Sequence, residues 1–274
     1  MSSAQKIIKY LAIAFALFLT FSIISGIGYA FISIGNLFDS NKKSVTEKLE
    51  MIEIKEEDTI SSLEIDVGGT NIIVKSGEVF QVQTDSKYIQ VKQDHHKLSI
   101  QEKENSWFSN GETADLIVSV PTEFIFREVS IEVGAGRLEI EELATNNLDL
   151  ELGAGKVTID KLNVFDQADI DSGAGEVEIR DGELSNLDLN MGVGKFTLNT
   201  KLSGNSTIDH GVGAFHLNLI GSKNDYQIHF NKGLGSVSLD GDEVVDNQTI
   251  GTGSNRLEID GGVGKIDIHF ISNR

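Results

Sequence analysis

The chain of 274 residues contains no cysteine, one proline (Pro121), one tryptophan (Trp107) and four tyrosines. Without cysteine there is no disulfide framework, no thiolate metal site, no cysteine nucleophile and no lipid-modified cysteine anchor. With proline almost absent, chain reversal falls to the 28 glycines, so corners are made by unusual backbone angles rather than by rigid kinks. Aromatic residues make up 7%, which weakens, without eliminating, a surface that stacks on sugar rings. Positive charge is scarce too: 23 Lys and Arg against 42 Asp and Glu leave a net charge of −19. That balance argues against nucleic acid, whose phosphates need a basic face. It also repels anionic polymers and headgroups unless cations intervene.

Charge is missing altogether from Tyr10 to Phe38, "YLAIAFALFLTFSIISGIGYAFISIGNLF". About 20 apolar residues cross a bilayer as a helix, so this stretch predicts one transmembrane helix over 10–38. Lys6 and Lys9 precede it, which favours a cytoplasmic tail over 1–9 and an extracytoplasmic remainder in the cell membrane. The alternative is a cleaved signal peptide with Gly28-Tyr29-Ala30 as the processing site; the length of the apolar run and its continuation beyond Ala30 favour the anchor. With Lys6 and Lys9 inside, everything from Asp39 onward carries −19 − 2 = −21. Residues 39–60 read as a polar spacer.

From 61 to 274 the pattern is strand-like alternation of period two, with no convincing helical stretch. "IEVGAGRLEI" (131–140) returns as "LELGAGKVTI" (150–159), "IDSGAGEVEI" (170–179) and "LNMGVGKFTL" (189–198). The Gly-x-Gly pairs are Gly134 and Gly136, Gly153 and Gly155, Gly173 and Gly175, Gly192 and Gly194, Gly211 and Gly213, Gly233 and Gly235, and Gly262 and Gly264. Their spacings are 19, 20, 19, 19, 22 and 29 residues, and "LEIDVGGTNIIV" (63–74) is a degenerate earlier copy. Such a period predicts an all-β parallel solenoid of about ten coils, each of about 20 residues. Apolar residues alternate on both sides of each pair, and Leu143, Leu162, Leu184 and Leu202 mark a third short side. Glycine at the junction supplies positive φ, and stacked corners roughly 4.8 Å apart leave no room for side chains. The spacer and the final "IHFISNR" are the candidate end caps. Between Phe80 and Phe126 the repeat blurs, and "ENSWFSNGET" (104–113) reads as an excursion. In it Trp107 and Phe108 either plug a coil edge or contact a partner.

The glycine pairs do not cradle a nucleotide, because a strand and not a helix follows each one. Tandem nonapeptide calcium loops are absent as well. Two residues before each first glycine stand Asp66, Glu132, Glu151, Asp171, Asn190, Asp209, Asn231 and Asp260. Four before it stand Glu64, Ser130, Asp149, Asp169, Asp188, Thr207, His229 and Glu258. Stacked coils turn these into two polar ladders on one face, where like charges either raise carboxylate pKa values or recruit cations. Asp149, Glu151, Asp169 and Asp171 are the candidates for a low-affinity surface for calcium or magnesium; the alternative is an ordinary solvated face. Arg137, Lys156, Lys195 and Lys265, just after the corners, are expected to pair with neighbouring carboxylates. Of the six histidines, only His95 and His96 adjoin, and neighbours on a strand point apart. No catalytic or cofactor-binding residue emerges.

"ADLIVSVPTEF" (114–124) leading into "VSIEVGAGRLEI" (129–140) resembles the putative-adhesin family of bacterial envelope proteins, and within it the LiaG-like membrane proteins of Gram-positive bacteria. The resemblance covers 61–270 and implies a β-solenoid linked to envelope stress signalling, with no catalytic residue to carry over. Together these readings give a non-enzymatic, membrane-anchored binding or scaffold protein that contacts an envelope protein or a wall component. The alternative is an accessory to a membrane signalling system that acts through its transmembrane helix. Oligomeric state is left open.

Overall fold

The computed structural model describes residues 49–52, 54, 60–103 and 113–271, all within one unit, Lys48–Arg274. The expected anchor over 10–38, the tail before it, most of the spacer and the Trp107–Phe108 pair lie outside the described residues. Among the described residues no helix is long and apolar enough to cross a membrane.

Seventeen strands follow one another among the described residues: β1 Glu50–Ile52, β2 Ser62–Val67, β3 Thr70–Gly77, β4 Gln81–Thr84, β5 Ile89–Asp94, β6 Lys97–Glu102, β7 Ala114–Pro121, β8 Ile125–Ile179, β9 Gly182–Ser185, β10 Leu187–Ser203, β11 Asn205–Ile220, β12 Tyr226–Asn231, β13 Leu234–Leu239, β14 Asp242–Glu243, β15 Gln248–Ile250, β16 Asn255–Asp260 and β17 Val263–Ile271. One 3-10 turn, Lys223–Asp225, interrupts them. β8 is a single run from Ile125 to Ile179 that winds through successive coils without a break at its glycine corners.

The alternation folds as the sequence predicts, into parallel coils stacked in register. Asp188 lies opposite Asp169 and Thr207, and Phe196 opposite Val177 and Phe215. Each coil has three sides: one before the Gly-x-Gly, one after it, and a short third. On that third side Leu184 lies opposite both Val164 and Leu202. Because register is exact in sequence position, inward residues form columns. Ile140, Ile159, Ile179, Leu198, Leu217 and Ile268 are all buried. Each such aliphatic contributes about 1.5–3 kcal/mol on leaving water, and no coil can cover its own flanks without neighbours.

The two glycines of a corner are required for different reasons. Gly155 has φ +144, a region closed to side chains, and a Cβ there would overlap the carbonyl oxygen of Gly136 in the coil beneath. Gly153 is not in the positive-φ region, yet its Cβ would overlap the carbonyl oxygen of Gly134. Positive φ, expected of the pair, therefore belongs to the second glycine. It is missing from the whole of Gly233-Leu234-Gly235.

Coils follow chain order only in the middle of the stack. At one end the sequence of coils is β6–β7, then β2–β3, then the first turn of β8. At the other it is β11, then β16–β17, then β12–β13. With three turns in β8 (the last completed by β9) and one in β10, nine coils result, spanning about 38 Å at one strand spacing each. This replaces the ten expected. The irregular spacings of 22 and 29 and the blurred stretch 80–126 are the sequence trace of these two excursions. Each outermost coil is covered by antiparallel strands from its own excursion. β5 lies on β6, and β4 lies on β7 with β1 beyond it. At the far end β15 lies on β12 and β14 on β13. Those strands occupy the open edges that would otherwise invite pairing. The final strand, expected as a cap, is instead the penultimate coil. Glu50–Ile52 of the spacer does lie at an end of the sheet. A cluster of Phe80, Phe124 and Phe126, with neighbouring ring centroids 4.8–5.9 Å apart, fills the interior near β7.

Candidate functional site: an acidic face beside a glycine-floored groove

The strands that precede the corners place the two polar ladders on the first side of the solenoid. In stacking order the row two residues before the glycines reads Gln101, Asp66, Glu132, Glu151, Asp171, Asn190, Asp209, Asp260, Asn231. The next row reads Ser99, Glu64, Ser130, Asp149, Asp169, Asp188, Thr207, Glu258, His229. The inserted final coil thus brings Asp260 directly against Asp209, a juxtaposition that chain order hides. Neither row contains lysine or arginine. At the edge, Lys97 meets Glu64 at 2.7 Å, and Ser99 Oγ donates to the same carboxylate at 2.6 Å; both hold the Glu64 pKa down. Elsewhere the rows rely on amides. Asn190 Nδ2 donates to Asp171 at 2.8 Å, Gln167 Nε2 to Asp169 at 3.1 Å, and Asn231 Nδ2 to Asp260 at 2.7 Å.

Uncompensated charge and partial burial perturb the carboxylates of this face. The negative charge of Asp66 raises the Glu132 pKa, with partial burial and then Glu151 and Asp149 adding to it. Partial burial raises Asp149, followed by Asp169 and Asp171. Asp209 is raised by partial burial and then by Asp260 and Asp188. The other two sides differ. Lys156 and Lys195 both meet Glu176, at 3.3 and 3.4 Å, and lower its pKa against partial burial. Arg180 joins Asp160 at 2.7 Å and Glu178 at 3.1 Å. Lys161 meets Glu142, Lys201 meets Glu183, Arg137 meets Glu139 and Lys265 meets Asp267. The expected pairing of Arg137, Lys156, Lys195 and Lys265 is therefore present. Such exposed pairs add little stability, but they offset carboxylates on the second and third sides, whereas the two rows of the first side contain no lysine or arginine.

Asp149, Glu151, Asp169 and Asp171 stand where expected, as a block of two rows by two rungs. Among the described residues, however, no three Asp, Glu or His side chains converge to hold one ion. Beside the block runs a groove of about 450 Å³. Its acidic wall is Glu132, Glu151 and Asp171, its floor Gly134, Gly153, Gly173 and Gly192, and Val133, Leu152 and Met191 line it too. Next to the groove, the middle residues of the corners form a ridge along the stack. It is alanine at 135, 154 and 174, then Val193, Val212, Val263 and Leu234. Sequence reasoning passed over this ridge, although the x of each Gly-x-Gly was the signal that could have found it.

Three histidines behave otherwise than expected. His95 and His96 form the β5–β6 turn, not a strand; His95 has φ +50 and contacts Asp94. His210 is buried, and its Nε2 has no hydrogen-bond partner. Burial pushes its pKa down.

A parallel β-solenoid with an acidic first side is a repeat protein, the class that presents extended surfaces. The chain belongs to the Toastrack DUF4097 family, which it matches over residues 60–268. No curated protein matches it. Among solved structures it is similar to a putative cell adhesion protein from Clostridium sporogenes ATCC 15579, at 18% identity and TM-score 0.39 over 82% of this chain and 100% of that one. It is also similar to a putative adhesin from Bacteroides fragilis NCTC 9343, at 15% identity and TM-score 0.38 over 81% and 98%. A third is a putative lipid binding protein from Parabacteroides distasonis ATCC 8503, at 12% identity and TM-score 0.33 over 82% and 96%. Likeness this distant assigns no ligand to the present chain.

Proposed function

We propose that this chain is a non-enzymatic binding scaffold of the bacterial cell envelope, held in the membrane by residues 10–38, with its β-solenoid outside the cell. The segregation of charge carries this reading: lysine and arginine pair with carboxylates on the second and third sides, whereas the first bears a double row of carboxylates, with no lysine or arginine in either row, beside a groove. A surface serving solubility alone has no reason to concentrate repulsion on one side. The charge-free stretch Tyr10–Phe38 and the resemblance to envelope adhesins support the location.

The test is photo-crosslinking in intact native cells. A crosslinking residue replaces either Glu151 on the first side or Glu139 on the second. Capture of a discrete neighbour from position 151 and not from 139 is the expected result; equal or empty capture from both defeats the reading. Replacing 10–38 with an unrelated anchor separates surface from helix. The captured neighbour persists if the solenoid does the binding, and disappears if the chain acts through its transmembrane segment.

A further inference from the structure

We propose that the wide end of the corner ridge and the acidic row beside it form a docking edge for a basic amphipathic segment of a partner protein; this rests on the binding-scaffold reading above. Two separate observations lead there. The first is apolar exposure where nothing in the fold calls for it: Val212 and Val263 are each 46% exposed, Leu234 83% and Val245 67%. Val263 lies in register between Val212 and Leu234, so three of the four form one stripe, at positions where alanine serves two to four coils away. Valine and leucine there fill no interior space, and a contiguous exposed apolar stripe on a soluble surface marks a contact. The second is charge. Three residues before Val212 and Val263 stand Asp209 and Asp260, in register with each other, and Asp188 lies opposite Thr207 beside them. Partial burial raises the Asp209 pKa, with Asp260 and Asp188 adding to it.

An occupant must therefore supply apolar side chains along one line and positive charge along the next. A second copy of this chain would press carboxylate rows together. Anionic headgroups are repelled for the same reason, and a divalent ion uses the carboxylates but not the ridge. A basic amphipathic segment satisfies both stripes at once, with the charge guiding encounter and the apolar contact holding the complex.

The test uses the full chain in nanodiscs of zwitterionic lipid, with empty nanodiscs as control. The probes are two fluorescent peptides of equal positive charge, one with lysine and leucine at helical spacing and one with serine in place of leucine. The leucine peptide is expected to bind about tenfold tighter than the serine peptide, a difference of about 1.4 kcal/mol. Leu234→Ser with Val263→Ser should erase that advantage and leave the serine peptide unchanged. Asp209→Asn with Asp260→Asn should weaken both peptides about tenfold. All four positions are solvent-facing, and circular dichroism checks that the variants fold. Equal binding of the two peptides, or indifference to either pair of substitutions, overturns the proposal, as does retention of all binding at high salt, which screens the acidic row. If neither peptide binds while position 151 still captures a neighbour in cells, the docking edge is wrong and the scaffold reading stands. If the peptides behave as expected while position 151 captures nothing, the scaffold reading fails and the edge remains.

Discussion

Four glycine-to-alanine substitutions separate the two forces that shape the corners. Gly69 has neither positive φ nor any atom within 4 Å of a built Cβ, so Gly69→Ala should be neutral or stabilising by up to ~1 kcal/mol, through the unfolded chain. Gly241 has φ +88 with equally open space; Gly241→Ala should cost about 1–2 kcal/mol, the price of a left-handed residue. Gly153 has an ordinary φ but a carbonyl oxygen in the way, and Gly153→Ala should cost about 1–3 kcal/mol of overpacking. Gly155 has both problems. Its φ belongs to a region that only glycine enters, costing about 1–3 kcal/mol, and with the same crowding Gly155→Ala should lose about 2–6 kcal/mol. Against a total stability of about 5–15 kcal/mol, the last variant sits near the threshold of unfolding. Urea midpoints read from the strand circular-dichroism signal should fall in the order Gly69, Gly241 and Gly153, Gly155. Should Gly153→Ala behave like Gly69→Ala, the coils are not stacked carbonyl over glycine. Should Gly155→Ala be no worse than Gly241→Ala, coil spacing does not limit the corner.

Further outcomes follow from the charges and the topology. Asp149→Asn should raise the urea midpoint at pH 7, and the gain should shrink at high salt, because screening already relieves the repulsion. The pH dependence has the matching sign. The raised carboxylates Glu132, Asp149 and Asp209 bind protons more readily folded than unfolded, so their repulsion costs stability as pH rises through their range and is relieved as pH falls. His210 acts in the opposite sense. Its folded pKa lies below the ordinary 6.5, so its contribution is intact above that value and is lost as pH falls through the lowered one. Met191 lies opposite it in register, and His210→Met should remove this acid sensitivity; an unchanged pH profile in that variant refutes the assignment. Deleting 255–274 should leave a one-coil gap between β11 and β12–β13, so that hydrogen exchange rises over 226–250 while the turns of β8 stay protected.

Much of this architecture was legible because a solenoid writes the same constraint repeatedly. Ile140, Ile159 and Ile179 recur at one phase of one period, and a repeat that no helix or hairpin explains leaves few alternatives. The ladders were legible for the same reason: constant spacing puts Asp149 and Asp169 on one row. What the sequence could not show was coil order. A strand's own residues specify which face turns inward, but Ile259 fits beside Ile208 as well as it fits beside Phe230, and β16 in fact lies between the two. Column position is encoded locally, whereas stacking order depends on the caps. The ridge escaped notice because the reading of each Gly-x-Gly stopped at its two glycines and gave no role to Val212 or Leu234.

The out-of-order coils change what the ends of the stack mean. In a repeat array built strictly in sequence, a terminal coil is joined to the rest through a single interface and frays at the cost of that interface alone. Here the outermost coil β12–β13 can be packed only against β16–β17, a segment that arrives after it in the chain. The far end is arranged likewise, with β6–β7 resting on β2–β3, which precedes it. Neither outer coil can detach by simple peeling from a chain terminus, because both of its flanking connections lead back into the stack, one to the coil beneath it and one past that coil. Loop-closure entropy is spent once, at folding, and afterwards each end opens as a two-coil unit rather than rung by rung. Asp260, Val263 and Leu234 lie inside that unit, and Asp209 and Val212 lie on β11 directly beneath it. Its rigidity therefore sets how accurately the two stripes are held side by side.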